Sequence, residues 1–243
     1  MTSSGRASQL ICAIDTGELG VAVDLAGSLK DSVGAVKLGL EFFIANGPEG
    51  VRAVSELGVP VFLDLKLCDI PNTVAGALRM AAITAPMMIT VHATGGPAMM
   101  RAAAGAAVRA ANSYGIPRPK VLGVTVLTSF DEDDVAAVGM QGPVQEQVKR
   151  LAKLALDCGL DGIVASAHEI AMLRDLCGDD FLLVVPGIRP GWSSSDDQKR
   201  IVPPAEALAQ GADYLVVGRP ITRSDDPVAA ARRIVDEMES VTA

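Results

Sequence analysis

The stretch "VFLDLKLCDIPNT", residues 61–73, places Asp64, Lys66 and Asp69 within six positions, directly after an apolar run. Carboxylates beside an ammonium favour its charged form. A charged lysine in a dry pocket can stabilise a developing carbanion and then protonate it. It is poorly suited to Schiff-base chemistry, which needs the neutral amine. Asp64 and Lys66 are two apart, so a regular strand puts them on one face. Asp69 lies beyond the strand, where the loop either returns it or carries it into another subunit. The plainer alternative is an ion pair that closes the strand. Burying charge costs several kcal/mol per ion, so such a pair is weak evidence for stability.

These residues need a frame. Eight short aliphatic runs recur: 10–15, 35–40, 61–65, 87–93, 121–127, 162–166, 181–185 and 214–218. Most are continuously apolar, as parallel strands covered on both faces are. Helical periodicity fills the gaps. Val144, Val148, Leu151, Ala155 and Cys158 share one helical face, and Val51, Val54 and Leu57 share another. Asp226 and Pro227 read as an N-cap and first helical position, ahead of a stripe of Val228, Ala231, Ile234 and Met238. The pattern predicts a (β/α)8 TIM barrel of the α/β class in one domain, 1–243, with residues 1–8 as a flexible tail. An open doubly wound sheet competes, but no GxGxxG follows the first run.

Barrel active sites lie at the carboxyl ends of the strands. Asp15, Lys37, Asp64 with Lys66, His92, Thr128 with Ser129, Arg189, and Gly218 with Arg219 stand at such ends. Each alone reads equally as a helix cap or a surface group; their convergence on one rim is the signal. The loops after strands seven and eight are the usual phosphate site. There "PGIRPGWSSSDDQKR" and "YLVVGRPIT" offer Gly218 for close backbone approach and Arg219 as a bidentate fork. Residues 190–197 read as a lid over a phosphate, or as an ordinary solvated loop.

Taken together, "FLDLKLCDIPNT", "VHATGG" (91–96), "VTVLTS" (124–129), "VPGIRP" (185–190), "DDQKR" (196–200) and "VVGRPIT" (216–222) resemble the orotidine 5′-phosphate decarboxylase family over nearly the whole chain. The DxKxxD core is shared with related sugar-phosphate barrels; "IPNT" and the later blocks make the resemblance specific. It implies decarboxylation of orotidine 5′-phosphate to uridine 5′-phosphate in pyrimidine biosynthesis, without cofactor or metal. It implies that Lys66 protonates C6 and that Asp64 sits beside the departing carboxylate. Lys37 would complete the charged network and contact the ribose. Asp69 and Ile70 would reach the neighbouring site of a homodimer. Asp15 resembles a ribose-binding aspartate and Thr128 the reader of the pyrimidine edge. Gln198, Gly218 and Arg219 resemble the phosphate grip, with Arg189 nearby. Pro71, Asn72, Thr73 and Pro186 fall within the matching blocks as substrate-binding positions. His92 matches a family position and is read as structural support. Pro203 stands where threonine is expected, at the start of a helix, where proline is tolerated. An Mg²⁺-dependent sugar-phosphate decarboxylase or aldolase, and a non-catalytic nucleotide-phosphate binder, remain as alternatives.

The totals agree with a soluble enzyme. The 243 residues carry a net charge of −8, which disfavours non-specific binding to nucleic acid or an anionic membrane. An anionic ligand must then meet a local basic site. Cys12, Cys68, Cys158 and Cys177 are widely spaced without a CxxC pair, so reduced thiols in a cytoplasmic protein are expected. The start, "MTSSGRASQ", has no apolar stretch of the signal-peptide kind.

Overall fold

A computed structural model describes residues 5–192 and 202–240. Eight parallel strands close into a barrel in sequence order: β1 (Leu10–Ile14), β2 (Ala35–Gly39), β3 (Val61–Leu67), β4 (Met88–His92), β5 (Lys120–Val124), β6 (Gly162–Val164), β7 (Leu182–Pro186) and β8 (Tyr214–Val217). The seam pairs the first strand with the last, Leu10 opposite Leu215 and Cys12 opposite Val217. Around it lie α1 (Leu19–Leu29), α2 (Leu40–Ser55), α3 (Pro71–Ala82), α4 (Gly96–Tyr114), α5 (Glu132–Ala137), α6 (Val144–Asp157), α7 (Ile170–Cys177), α8 (Pro204–Ala209), α9 (Arg219–Thr222) and α10 (Pro227–Glu239).

The continuous apolar runs are buried on both faces, as parallel strands between a barrel interior and a helical shell must be. Alternation splits their side chains into two cores. Ile11, Ala35, Phe62, Met88, Leu122, Val184 and Val216 fill the barrel. Leu10, Cys12, Ile14, Val36, Leu38, Leu63 and Ile89 face outward onto the helices. Gly162 permits tight closure between β6 and β7, because a Cβ there would run into the Leu182 carbonyl oxygen.

The helices follow their sequence signals. Asp226 accepts a hydrogen bond from the Ala229 amide at 2.9 Å, and Pro227 opens α10 with Ala231, Ile234 and Met238 buried. Val144, Val148, Leu151 and Ala155 line the buried face of α6. Several boundaries differ from expectation; β3 runs on to Leu67 and β6 stops at Val164. The 121–127 run leaves the sheet at Val124, and its remainder forms the loop that carries Thr128. The Val51–Val54 stripe belongs to a longer helix that begins at Leu40 and is kinked at Gly47 (φ 60°) before Pro48, where a proline inside a helix removes a hydrogen bond. Of the tail expected over residues 1–8, residues 5–8 belong to a 3₁₀ turn, Gly5–Gln9, whose Gln9 side-chain amide donates to the Asp213 carbonyl.

Among the described residues no helix is long and apolar enough to cross a membrane. The four cysteines are free.

Candidate active site

The inward-facing positions change character along the strands. At the lower level they are aliphatic or aromatic. One step nearer the carboxyl ends, the same faces carry Lys37 on β2, Asp64 on β3 and Thr90 on β4. The register staggers them around the barrel, with Lys37 opposite Phe62, Gly39 opposite Asp64 and Thr90 opposite Leu122.

β3 then breaks register. Leu63 pairs with Ile89 and Leu67 with Val91, so four steps along β3 span two along β4. Lys66 sits in this excess with φ 50°, a left-handed conformation uncommon for a residue with a side chain. Simple alternation thus put Asp64 and Lys66 together for an incomplete reason, since the bulge is what brings the ammonium over the barrel mouth.

The result is a row of alternating charges. The Lys37 Nζ stands 3.3 Å from Asp15 Oδ1 and 3.6 Å from Asp64 Oδ2. The Lys66 Nζ donates to the same Asp64 Oδ2 at 2.8 Å. Thr90 donates its hydroxyl proton to Asp64 Oδ1 at 2.8 Å, and its oxygen accepts the Lys66 backbone N–H at 2.8 Å. Burial pushes the Asp64 carboxyl up, but Lys37, Lys66 and the two side-chain hydrogen bonds together outweigh it and hold the group below the ordinary value of 3.8. His92, half-buried at the end of β4, is lowered by burial and then by the charge of Lys66, against the opposing pull of Asp64. Its Nδ1 lies 3.4 Å from the Thr94 hydroxyl. Cys12, behind the row, is pushed up to about 12, first by burial and then by Asp15. It is inert as a nucleophile.

Two cavities meet at Lys37, Asp64 and Lys66. One, about 200 Å³, is also lined by Asp15 and the start of α2. The other, about 190 Å³, runs across the mouth between Phe62, Val124, Val126, Leu127, Thr128, Val164, Pro186 and Val216. The site thus offers an ionic wall on one side and a mostly apolar slot on the other.

The remaining expected positions divide. Gly218 lies against the row, since a Cβ there would stand 3.8 Å from Asp15 Oδ2. Arg219 follows as the first residue of α9. Arg189 is buried, 5% exposed, with Nη1 3.5 Å from the Ile188 carbonyl. Asp69 does not join the row within one chain. Its carboxylate accepts the Ile70 amide at 2.6 Å, and Ile70 is 67% exposed. Pro71, Asn72 and Thr73 form the exposed first turn of α3 and line neither cavity. Gln198 and most of the 190–197 segment lie outside the described residues. Thr90 was not singled out in the sequence. A β-branched residue within an apolar strand signals only strand propensity.

Among the described residues, no three His, Cys, Asp or Glu side chains converge as metal ligands. The family model described as "Orotidine 5'-phosphate decarboxylase / HUMPS family" matches residues 8–234. The orotidine 5′-phosphate decarboxylase of Rhodospirillum rubrum is 56% identical over 93% of this chain and 92% of its own length. That of Gluconobacter oxydans is 52% identical over 97% of this chain and 99% of its own. Among solved structures, the orotidine 5′-phosphate decarboxylase of Lactobacillus acidophilus superposes with a TM-score of 0.83 at 36% identity, covering 95% of this chain and 99% of that one. A closed eightfold barrel, a row of charges at its mouth and matches of this length lead to one assignment: the chain belongs to the orotidine 5′-phosphate decarboxylase / HUMPS family.

Proposed function

We propose that this chain converts orotidine 5′-phosphate to uridine 5′-phosphate and CO2, with Lys66 stabilising and protonating the carbanion. One observation carries the reading: the Lys66 ammonium, 2.8 Å from Asp64, stands where the ionic row meets an apolar slot. In the reaction the C6–carboxyl bond breaks, CO2 departs, and the electron pair stays on C6 in the ring plane, where the π system delocalises it poorly. Stabilisation then falls to a preorganised cation. Lys66 supplies that charge, gives its proton to C6, and is reprotonated from solvent. Lys37, between Asp15 and Asp64, suits contact with the ribose hydroxyls. Thr128, at the edge of the slot, suits the polar edge of the pyrimidine. Asp64 would face the substrate carboxylate.

Gly218, close to Asp15, and Arg219 after it would supply the phosphate end, with Arg189 and Gln198 as further candidates. Remote binding energy there would orient the ring and exclude water. Arg219→Ala should lower kcat/KM for orotidine 5′-phosphate by about 10–100-fold, the loss expected for a charged hydrogen bond. It should leave turnover of unphosphorylated orotidine unchanged. Equal losses on both substrates would place the phosphate elsewhere.

Asp69 and Ile70, exposed and turned away from the row in one chain, support a homodimer in which they complete the partner's site.

The direct test adds orotidine 5′-phosphate to the purified protein in the presence of EDTA and follows loss of the orotate absorbance. Undiminished turnover is expected. Turnover abolished by EDTA and restored by Mg²⁺ would overturn the cofactor-free mechanism, and Mg²⁺-dependent turnover of a sugar phosphate in place of orotidine 5′-phosphate would favour a sugar-phosphate enzyme of the same barrel superfamily. Binding of uridine 5′-phosphate without turnover would leave a nucleotide-binding protein.

A further inference from the structure

Thr90 is fully buried, and its side chain hydrogen-bonds both catalytic candidates of β3 at once. Its position explains why. Where β3 carries two residues in excess, Thr90 lies between the paired residues Ile89 and Val91. The Lys66 amide points at β4 there and takes the Thr90 oxygen as its acceptor. A hydroxyl has one proton to give and two lone pairs to receive. Thr90 uses the proton on Asp64 Oδ1 and a lone pair on Lys66 N–H. That leaves Asp64 Oδ2 to both ammonium groups. The hydroxyl therefore fixes two things together: the rotation of the Asp64 carboxylate, and the left-handed backbone at Lys66 (φ 50°) from which the ammonium is aimed.

We propose that Thr90 is a positioning residue for the decarboxylation, holding the Lys66 ammonium and the Asp64 carboxylate in the relative geometry that carbanion stabilisation needs. The proposal rests on the proposed function of Lys66. Without the hydroxyl, a buried N–H and a buried carboxylate oxygen both lose their partner. The bulge then loses the hydrogen bond that holds its backbone between the flanking pairs Leu63–Ile89 and Leu67–Val91, and Lys66 relaxes away from the slot. Displacements of about 1 Å in such sites cost roughly 100-fold in rate. Thr90 hydrogen-bonds only Asp64 and the Lys66 backbone, and none of the groups proposed for the ribose, the pyrimidine edge and the phosphate, so binding of uridine 5′-phosphate, which lacks the carboxylate that Asp64 would face, should survive.

The test compares Thr90→Val, nearly isosteric, with Thr90→Ser, which keeps the hydroxyl. Turnover of orotidine 5′-phosphate and the dissociation constant of uridine 5′-phosphate are measured for each. Thr90→Val should lose about 100-fold in kcat, with the uridine 5′-phosphate constant within about threefold of wild type, as expected when only a transition-state interaction is removed. Thr90→Ser should recover to within about fivefold of wild-type kcat, as a retained hydroxyl predicts. A Thr90→Val enzyme with near wild-type kcat overturns the proposal. So does parallel loss of kcat and product affinity, or a Thr90→Ser enzyme as impaired as Thr90→Val, because each marks a role in packing alone. If Thr90→Val does not fold, Thr90→Cys serves, its thiol being a weak donor and weak acceptor. An intermediate kcat with intact product binding is then expected, and unaltered kcat overturns the idea. Wild-type protein that does not turn over orotidine 5′-phosphate defeats the proposed function itself, a result separable from any of these.

Discussion

Lys66→Ala should reduce kcat by at least about 1,000-fold. Removing one preorganised donor aimed at developing charge costs about 100- to 1,000-fold. Loss of a general acid costs about 100- to 10,000-fold. The two effects reside in one group and do not simply multiply. Affinity for uridine 5′-phosphate should stay largely intact, since the product carries no charge at C6 for the ammonium to meet. Steady-state turnover and product-binding titration read the two quantities separately. Retained turnover would remove Lys66 from the role of proton donor. Equal collapse of turnover and product binding would mean that the residue holds the site together instead of acting on C6.

Asp64→Asn is expected to have the second-largest effect. Asp64 Oδ2 is the common partner of two ammonium groups, at 3.6 and 2.8 Å. An amide removes the negative charge and can turn a donor toward them. Lys37 and Lys66 then repel across a shared cavity, and kcat should fall about 100-fold or more through misplacement of Lys66. A stability signature accompanies the loss. The Asp64 pKa is depressed in the folded chain, below the ordinary 3.8. Its ionised form therefore stabilises the fold at neutral pH. This contribution is complete above the ordinary carboxylate range and disappears as pH falls through the folded value. The urea midpoint of Asp64→Asn should lie below wild type at neutral pH, and the gap should narrow as pH drops below about 3.8. A gap that holds constant through acid would mean that the carboxylate contributes nothing through its charge.

Much of the architecture is legible in the residues because parallel barrel strands need apolar side chains on both faces. That requirement leaves uninterrupted runs such as "LICAI" and "LLVVP". Strand ends are less legible. β5 stops at Val124 although the apolar run continues to Leu127, because sheet pairing and not hydropathy decides where a strand ends. The charged row could be anticipated from DxK spacing and from the isolated Lys37 in an apolar strand. Its geometry could not. The left-handed Lys66 and the bulge beside it depend on the register between β3 and β4, a relation between two segments that neither records alone. Thr90 was hidden for the same reason. Asp69 shows a different limit. Spacing placed it near Lys66 in sequence, but the loop after β3 directs its carboxylate to the Ile70 amide.

The pairing of β1 with β8 has a consequence for how the protein comes into being. Leu10 and its partner Leu215 are about 200 residues apart. At roughly 5–20 residues per second, the ribosome takes roughly 10–40 seconds between delivering one and the other. Throughout that interval the nascent first strand presents an unsatisfied, wholly apolar edge, the kind that recruits other chains. Asp15 and Gly218, on either side of that junction, cannot form a common site until translation is nearly complete. A truncated product lacking the last strand should accordingly be a client of chaperones and not a weaker enzyme.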